Sequence, residues 1–556
     1  MPNHKELLEI LLKNRGVEIK DYDKFLNPSY EEHLYDPFLM KDMELACVRI
    51  FEAIEAKERI VIYSDYDCDG IPAAVVMHDF LKKIKYENFS IYIPDRQDEG
   101  YGLHLDAIDE FIRTGVNLII TFDLGITAID EVAKAKSAGI DVIITDHHLI
   151  QGGEIPRAYA ILNPKQNDCN YPDQMLCGAG IAYKLLQALI KKYGEYWQIK
   201  DGWEKWLLDM VGIATLSDQV PLLGENRVLA YYGLKVLQKT RRPGLIEIFT
   251  KAKIDIKKIT EEDITFTLAP RLNAASRMAS PMSAFELLST TDLAKARVLA
   301  DHLSEINDDR KQIVAHIMKE VKKILSKRLL EEDKPFIVIG NPNWKTGILG
   351  IIASKIVDEY NKTVFVWGGD GSEVIKGSCR TCGDVDLVEI MNSLPENSLI
   401  SFGGHKMAGG FSVDYKEIHF LEERLSNFFN NKENIKKDSD NEVIVDTVIE
   451  LEDINEDNYK VVEKLAPYGV GNPKPTFLLK DVIIDSVKEF GKDKNHLELS
   501  FKSNNGKKVK AIAFFKNRES FSKVLTLGDR VSMIVNFEKS FFLGKTELRL
   551  RIINVL

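Results

Sequence analysis

The stretch Ile60–Gly70, IVIYSDYDCDG, runs an apolar, largely β-branched segment straight into three aspartates at alternate positions, Asp65, Asp67 and Asp69. Continuous rather than alternating hydrophobicity marks a strand covered on both faces, the kind found in parallel sheets flanked by helices. In such sheets ligands bind at the carboxyl ends of the strands, which is where the aspartates stand. Two carboxylates about 4 Å apart repel by roughly 4 kcal/mol at the effective dielectric near a protein surface. A positive partner is therefore implied among them.

The same pattern recurs outward from this strand. RIVIYS, FSIYIP, VNLIITF and IDVIITD are separated by helical patterns such as AIDEVAKAKSAG, in which Gly139 is placed as a C-cap. LIITF ends in Asp123, VIIT ends in Asp146, His147 and His148, and GIATLSDQVPL sets Asp218 after an apolar helix or strand. Parallel strands point the same way, so these side chains converge at one edge of the sheet. An oxygen-rich donor set with imidazoles suits Mn²⁺ or Mg²⁺. Two such ions about 3.5 to 4 Å apart support in-line phosphoryl displacement, so hydrolysis of a phosphate ester or anhydride is the chemistry implied. A single Asp after a strand is ordinarily a helix cap or turn former, and Asp69, ahead of a helix beginning near Pro72, fits that role as well. Capping does not account for four element ends all delivering carboxylates or histidines.

At 556 residues the chain is too long for one core, and three or four domains are expected. Apolar residues make up 45% and charged residues 29%, with no apolar run of membrane-spanning length. The opening MPNHKELLEILLKNRG carries charges through its apolar stretch, unlike a signal peptide, so a cytoplasmic protein is expected. Six cysteines make no disulfide framework, and the C-x-x-C of Cys379 and Cys382 reads as two incidental thiols beside an arginine. Net charge is −11, yet from Phe501 to Leu556 there are 12 Lys/Arg against 4 Asp/Glu. An acidic body with a basic tail domain keeps nucleic acid in view.

From Ser283 to Lys334 there is neither Gly nor Pro, and the later part, DDRKQIVAHIMKEVKKILSKRLLEEDK, reads as one long charged helix joining two domains. After Pro335, FIVIG, GILGIIASKIVDEY and TVFVWGG restart the strand–helix–strand alternation. NNKENIKKDSDNE reads as a linker, and the short strands VIIDSVKEF, HLELSF, KVKAIAFF, RVSMIVNFEK and TELRLRIINVL read as a small β-barrel. The expected fold class is α/β with that barrel appended. The expected division is an N-terminal extension 1–57, a first α/β domain 58–232, a helical connector 233–334, a second α/β domain 335–430, a linker and barrel entry 431–480, and the barrel 481–556.

DYDCDG, FDLGIT, TDHH and ATLSDQVPL resemble, in order and spacing, the four motifs of the DHH phosphoesterase superfamily. LLKNRG, FLNPS, IPDRQDEGYGL, LCGAGIAYKL, RLNAASRM, GHKMAGG and LAPYGVGNPKPTF are similar to its RecJ family of single-stranded-DNA-specific exonucleases. The resemblance implies a DHH domain with a parallel sheet, a smaller DHH-associated domain beyond a long helix, and an OB-fold barrel. It implies two divalent cations, Mn²⁺ preferred and Mg²⁺ possible, held by Asp67, Asp69, Asp123, His147 and Asp218, with Asp65, Asp146 and His148 in support and Asp123 bridging. It implies 5′ to 3′ degradation of single-stranded DNA in recombination and repair. The terminal phosphate is expected among Arg271, Asn273, Arg277, Ser378, Arg380, Gly403, Gly404 and His405, with interdomain ion pairing as the competing role of Arg271. Expected partners are single-stranded DNA with a 5′ end, a single-strand-binding protein and a helicase, with no membrane, on a monomeric chain. The barrel's lysines alternate with aromatics, a pattern that stacks bases and tracks phosphates; of Phe501, Phe514, Phe515, Phe537, Phe541 and Phe542, a minority is expected at DNA. Lys345 stands where the family pattern has histidine, and GSCRTCG departs from GSGRS. Two other readings keep parts of this picture: a DHH enzyme for dinucleotides or short oligonucleotides, and an inactive strand-binding scaffold.

Overall fold

The computed structural model describes residues 3–150, 152–331, 334–369, 371, 373–383, 385–431, 444–491, 494–521, 523–542 and 545–556. Its first sheet has five parallel strands, β1 (Ile60–Ser64), β2 (Phe89–Tyr92), β3 (Leu118–Phe122), β4 (Asp141–Thr145) and β5 (Ala160–Leu162), in the order β2-β1-β3-β4-β5. Successive residues of a strand face opposite sides. Ile60, Ile62, Leu118, Ile120 and Ile143 join one core, shared with helices Met43–Glu55, Gly70–Lys83 and Gly178–Tyr193. Val61, Tyr63, Ile119 and Ile144 join another, under helices Leu105–Arg113 and Ile129–Ser137. Gly139, just past the last of these, has φ +79, the left-handed turn its position calls for.

Register fixes where the strands stop. Ser64 lies opposite Phe122, and Phe122 opposite Thr145. The ladder continues for one residue, with the N–H of Asp65 donating to Phe122 O, that of Asp123 to Thr145 O and that of Asp146 to Leu162 O. Three acidic residues thus leave the sheet side by side.

A 39-residue helix, Leu293–Glu331, connects the two α/β domains. It starts before the charged stretch from Asp308 that suggested it, because Leu293–Asn307 is equally free of helix breakers and Ala300 and Leu303 bury against the first core. Its other end carries Val314, Ile317, Val321 and Leu325 into the core of the second domain. There the sheet order is β6-β7-β8-β10-β9, from β6 (Phe336–Asn341), β7 (Thr363–Gly368), β8 (Val374–Arg380), β9 (Ser401–His405) and β10 (Ala408–Asp414), with β6 and β7 parallel and the rest antiparallel. Cys379 is buried in β8 and Cys382 partly exposed, and both are free thiols.

The polar run expected as a linker lies outside the described residues beyond Asn431. The barrel comprises β11 (Thr447–Ile449), β12 (Phe477–Phe490), β13 (His496–Lys502), β14 (Lys508–Ala513), β15 (Arg530–Phe542) and β16 (Lys545–Val555), closed by pairing of β12 with β15. Phe501 and Phe537 are core residues, whereas Phe515 is 81% exposed. The side chains of Phe541 and Phe542 fall outside the described residues. The first helix, His4–Asn14, does not pack on the domain that follows it. Leu7, Leu11 and Leu12 enter the barrel core, and the Arg15 guanidinium pairs with Asp446 at 3.3 Å. No described helix is long and apolar enough to cross a membrane.

Candidate metal centre

The acidic residues at the strand ends meet the helices that follow them. Asp67 Oδ1 accepts from the N–H groups of Asp69 (2.8 Å) and Gly70 (3.0 Å), capping the helix Gly70–Lys83. Asp69 occupies the N-cap position but its carboxylate does not cap that helix, contrary to the sequence-based expectation. Instead it crosses to the N-terminus of Gly178–Tyr193, accepting from Gly178 N–H at 2.6 Å and Ala179 N–H at 2.7 Å. Two amides and a helix dipole there hold a carboxylate in place.

Asp123 follows β3 with φ +63. A left-handed backbone is uncommon outside glycine and turns the side chain off the strand axis. The start of Gly178–Tyr193 passes so close that a Cβ on Gly178 would stand 2.7 Å from Asp123 Cβ. Asp218 comes in from the last turn of Leu208–Ser217.

Ligand-type atoms of Asp65, Asp67 and Asp123 lie within 4.8 Å of one another, and so do those of Asp69, His147 and Asp218. Asp123 also groups with His147 and His148, placing it between the sets. Burial, and then the charge of Asp67, raise Asp65 well above the carboxylate range and Asp69 to about 7. Asp123 is pushed well up by burial and by Asp69, and Asp218 to about 8 by burial and by Asp69. His147 is held down to about 3 by burial and by the neighbouring His148. Neutral at ordinary pH, it keeps a hydrogen bond with the Leu176 backbone and points Nε2 at Asp123 Oδ1, 3.1 Å away, and at Asp69 and Asp218 at 3.7 and 3.9 Å.

Asp123 Oδ1 and Asp65 Oδ1 are buried without a hydrogen-bond partner. A lone pair on imidazole facing a lone pair on carboxylate is repulsive unless a proton or a metal cation lies between them. Oxygen donors with one or two imidazoles are the set that Mn²⁺ and Mg²⁺ take, so these residues fit a divalent metal.

Supporting groups surround the cluster. Asp146 is fully buried, and although burial alone would raise it, the His148 hydrogen bond and charge hold it below the usual carboxylate range. It accepts from His148 Nδ1 at 2.8 Å, and from the N–H groups of His147, His148 and Ile126. Burial works against the charge on His148, but Asp146 outweighs it and lifts His148 to about 9. Tyr101 donates its hydroxyl to Asp123 O at 3.1 Å, and Lys165 Nζ donates to His147 O. Tyr101, Lys165 and Gly178 were not singled out in the sequence. Their signal lay in EGYGL, LNPK and LCGAG, stretches whose physical purpose shows only when the chain folds back on Asp123 and His147.

The second domain forms the opposite wall of a cleft of about 540 Å³, lined among others by Tyr66, Arg96, Gln97, Lys376 and Gly403. Arg277 is hemmed in by Arg96, Arg310 and Arg380, and burial lowers it to about 9; its Nη1 donates to Gly347 O at 3.0 Å. Arg380 lies against Gly350 at the start of helix Leu349–Tyr360, with Ser378 beside it; a Cβ on Gly350 would meet Arg380 Nη2 at 3.0 Å. His405, from β9, feels the charges of His148 and Lys165 across the cleft. Gly404 has φ +144 and its missing Cβ would strike Ala408 O at 2.4 Å, so the β9–β10 hairpin itself requires glycine there, while nothing crowds Gly403. Arg271 donates to Thr267 O on its own side of the molecule, and Asn273 Oδ1 is buried without a partner. The eight candidates for phosphate binding therefore do not form one group: Arg277, Ser378 and Arg380 cluster, His405 faces the metal ligands, and Arg271 stands apart. Lys345 is exposed next to the buried Trp344.

Three family models match in succession: the DHH family N-terminal domain over residues 59–215, the DHHA1 domain over 333–431 and the RecJ OB domain over 445–554. A curated relative named single-stranded-DNA-specific exonuclease RecJ from Haemophilus influenzae is 32% identical over 92% of this chain and 89% of its own length. The chain belongs to the RecJ family. Another RecJ relative of the same name, from Bacillus subtilis, is 35% identical over 95% of the chain, which spans 65% of that protein's length. The crystal structure of RecJ in complex with Mn²⁺ from Thermus thermophilus aligns with a TM-score of 0.80 at 25% identity, covering 99% of this chain and 76% of that one.

Proposed function

We propose that this chain is a divalent-cation-dependent exonuclease that degrades single-stranded DNA from the 5′ end in recombination and repair. The observation that carries the reading is the convergence of Asp67, Asp69, Asp123, His147 and Asp218 at one end of the parallel sheet, beside a cleft that has Arg96 on the near side and Lys376 of the second domain on the far wall. Relatives that bear the name of such an exonuclease, matched along nearly the whole chain, support it.

In this proposal Asp65, Asp67 and Asp123 hold one cation, and Asp69, His147 and Asp218 hold a second, with Asp123 reaching both. Two divalent ions, Mn²⁺ preferred and Mg²⁺ accepted, supply when bound a nucleophilic water near neutral pH and charge neutralisation for an in-line phosphodiester displacement. Asp146 keeps His148 protonated, so that a cation faces the phosphoryl oxygens where negative charge develops. Arg277, Arg380 and Ser378, with the N-terminus of Leu349–Tyr360, take the terminal 5′ phosphate, and this sets the polarity of digestion. The wall bearing His405 excludes duplex by its closeness. The single-strand-binding protein, the helicase, the monomeric state and the cytoplasmic location implied by the resemblance belong to the same proposal.

Purified protein with Mn²⁺, Mg²⁺ or chelator, given a 5′-labelled single strand, its duplex and a dinucleotide, tests the reading. Mononucleotide release from the 5′ end of the single strand alone, abolished by chelator and by Asp123→Ala, is the expected result. Cleavage confined to the dinucleotide, or full cleavage by the Asp123→Ala variant, would overturn it.

A further inference from the structure

The buried stripe of the connecting helix Leu293–Glu331 runs through Ala300, Leu303, Asn307, Val314 and Ile317, with the half-buried Arg310 on the same face at helical spacing. Its first members belong to the core of the first domain and its last to that of the second. The two polar members fall between, where the helix leaves one core for the other. Asn307 is fully buried, and neither its Nδ2 nor its Oδ1 has a hydrogen-bond partner. Nε of Arg310 is buried and unpartnered as well. Facing them is the helix Ala269–Met278, whose Arg271 also buries an unpartnered Nε. Burial, and then the charge of Arg271, depress Arg310, and Arg277 feels Arg310 too. Asp308 lies within the field of Arg271 without forming an ion pair with it, and no described carboxylate pairs with either guanidinium.

A spacer between two cores needs none of this. Leucine at 307 and 310 would continue the stripe, and replacing buried polar groups by apolar ones of similar shape is commonly neutral or stabilising. Two guanidiniums and an amide kept together at a junction, with the Asn307 amide and both arginine Nε groups unpartnered while Arg271 Nη1 donates to Thr267 O, are the donor set of an oxyanion site. We propose that Arg271, Asn307 and Arg310 form a second phosphate subsite at the junction of the two α/β domains, separate from Arg277, Ser378 and Arg380. The proposal rests on the nuclease reading for its substrate, since the oxyanion is either an internal phosphodiester of the bound strand or the phosphate of a released nucleotide.

Binding to the full-length chain in chelator, where cleavage stops, tests it. The probes are a long 5′-phosphorylated oligothymidylate, its trinucleotide, and inorganic phosphate followed by thermal shift. Arg310→Gln should weaken the long strand about tenfold, the low end for a lost charge-assisted hydrogen bond, and flatten the log–log salt dependence by about 0.7. The trinucleotide should be unaffected if the ligand is an internal phosphodiester. If the ligand is a free phosphate, oligonucleotide binding stays and the thermal shift by inorganic phosphate disappears. Asn307→Asp, nearly isosteric, serves should Arg310→Gln not fold: it should stabilise the protein by pairing with both arginines while abolishing the same binding signal. Unchanged affinity for all three probes in both variants overturns the subsite. Should the wild type bind no strand at all, the nuclease reading fails, while the inorganic phosphate measurement still judges the subsite.

Discussion

Gly178→Ala tests whether a passing backbone sets the position of Asp123. The added Cβ would stand 2.7 Å from Asp123 Cβ and 2.9 Å from its Oδ1, where ordinary contacts begin at 3.4 Å. Relieving the clash takes a shift of about 0.7 Å, against a metal-ligand tolerance of about 0.2 Å. Asp123 has little freedom to move, because its backbone has φ +63 and its N–H is tied to Thr145 O. Overpacking of this kind costs about 1 to 3 kcal/mol, small enough for the domain to stay folded. Mn²⁺ affinity should fall about 10- to 100-fold, the range seen when groups that orient ligands are lost. Gly180→Ala is the control, since its Cβ would meet nothing nearer than 3.5 Å. Calorimetric Mn²⁺ titration alongside circular dichroism reads both variants. A folded Gly178→Ala protein that binds Mn²⁺ like the wild type, or a Gly180→Ala protein equally impaired, would refute the reasoning.

Acid–base behaviour offers a second check. Asp69 at about 7 and Asp218 at about 8 are raised from the ordinary carboxylate value of 3.8, so their contribution to stability is complete below about pH 4 and is lost as pH rises through those values. Metal-free protein should lose stability from pH 4 to 8, by up to about 1.4 kcal/mol per pH interval for each group, and saturating Mn²⁺ should remove the slope; a flat melting profile in chelator contradicts this. In Asp146→Asn, His148 should fall from about 9 toward its ordinary 6.5, visible in an imidazole proton titration by NMR, with a loss of alkaline activity. Phe515→Ala should weaken binding of long single strands by about 1 to 3 kcal/mol if this exposed ring stacks a base, without altering Mn²⁺ affinity; unchanged strand affinity would remove it from the interface.

The first sheet was legible because parallel strands with covered faces leave a continuous apolar run, and because their register puts the next residue of each strand in one row. Asp65, Asp123 and Asp146 follow from that alone. The division of labour within DYDCDG did not, since both Asp67 and Asp69 can cap a helix by local rules, and the choice is made by Gly178, more than a hundred positions away. Tyr101 and Lys165 were hidden by shorter separations, 22 positions from Asp123 and 18 from His147, which no local rule spans. Asn307 and Arg310 were overlooked because a charged helix reads as solvated, and only packing on both ends shows which side of it is buried. The first helix carries no mark of its partner either; its apolar face would suit any core.

That helix has a consequence for biosynthesis. Asn14 meets Asp446, a contact spanning 432 positions. With elongation at about 5 to 20 residues per second, the ribosome takes roughly 20 to 90 s to deliver the partner. For that interval Leu7, Leu11 and Leu12 lack their native cover, a natural target for a chaperone, and the barrel completes its interior with a segment made long before it.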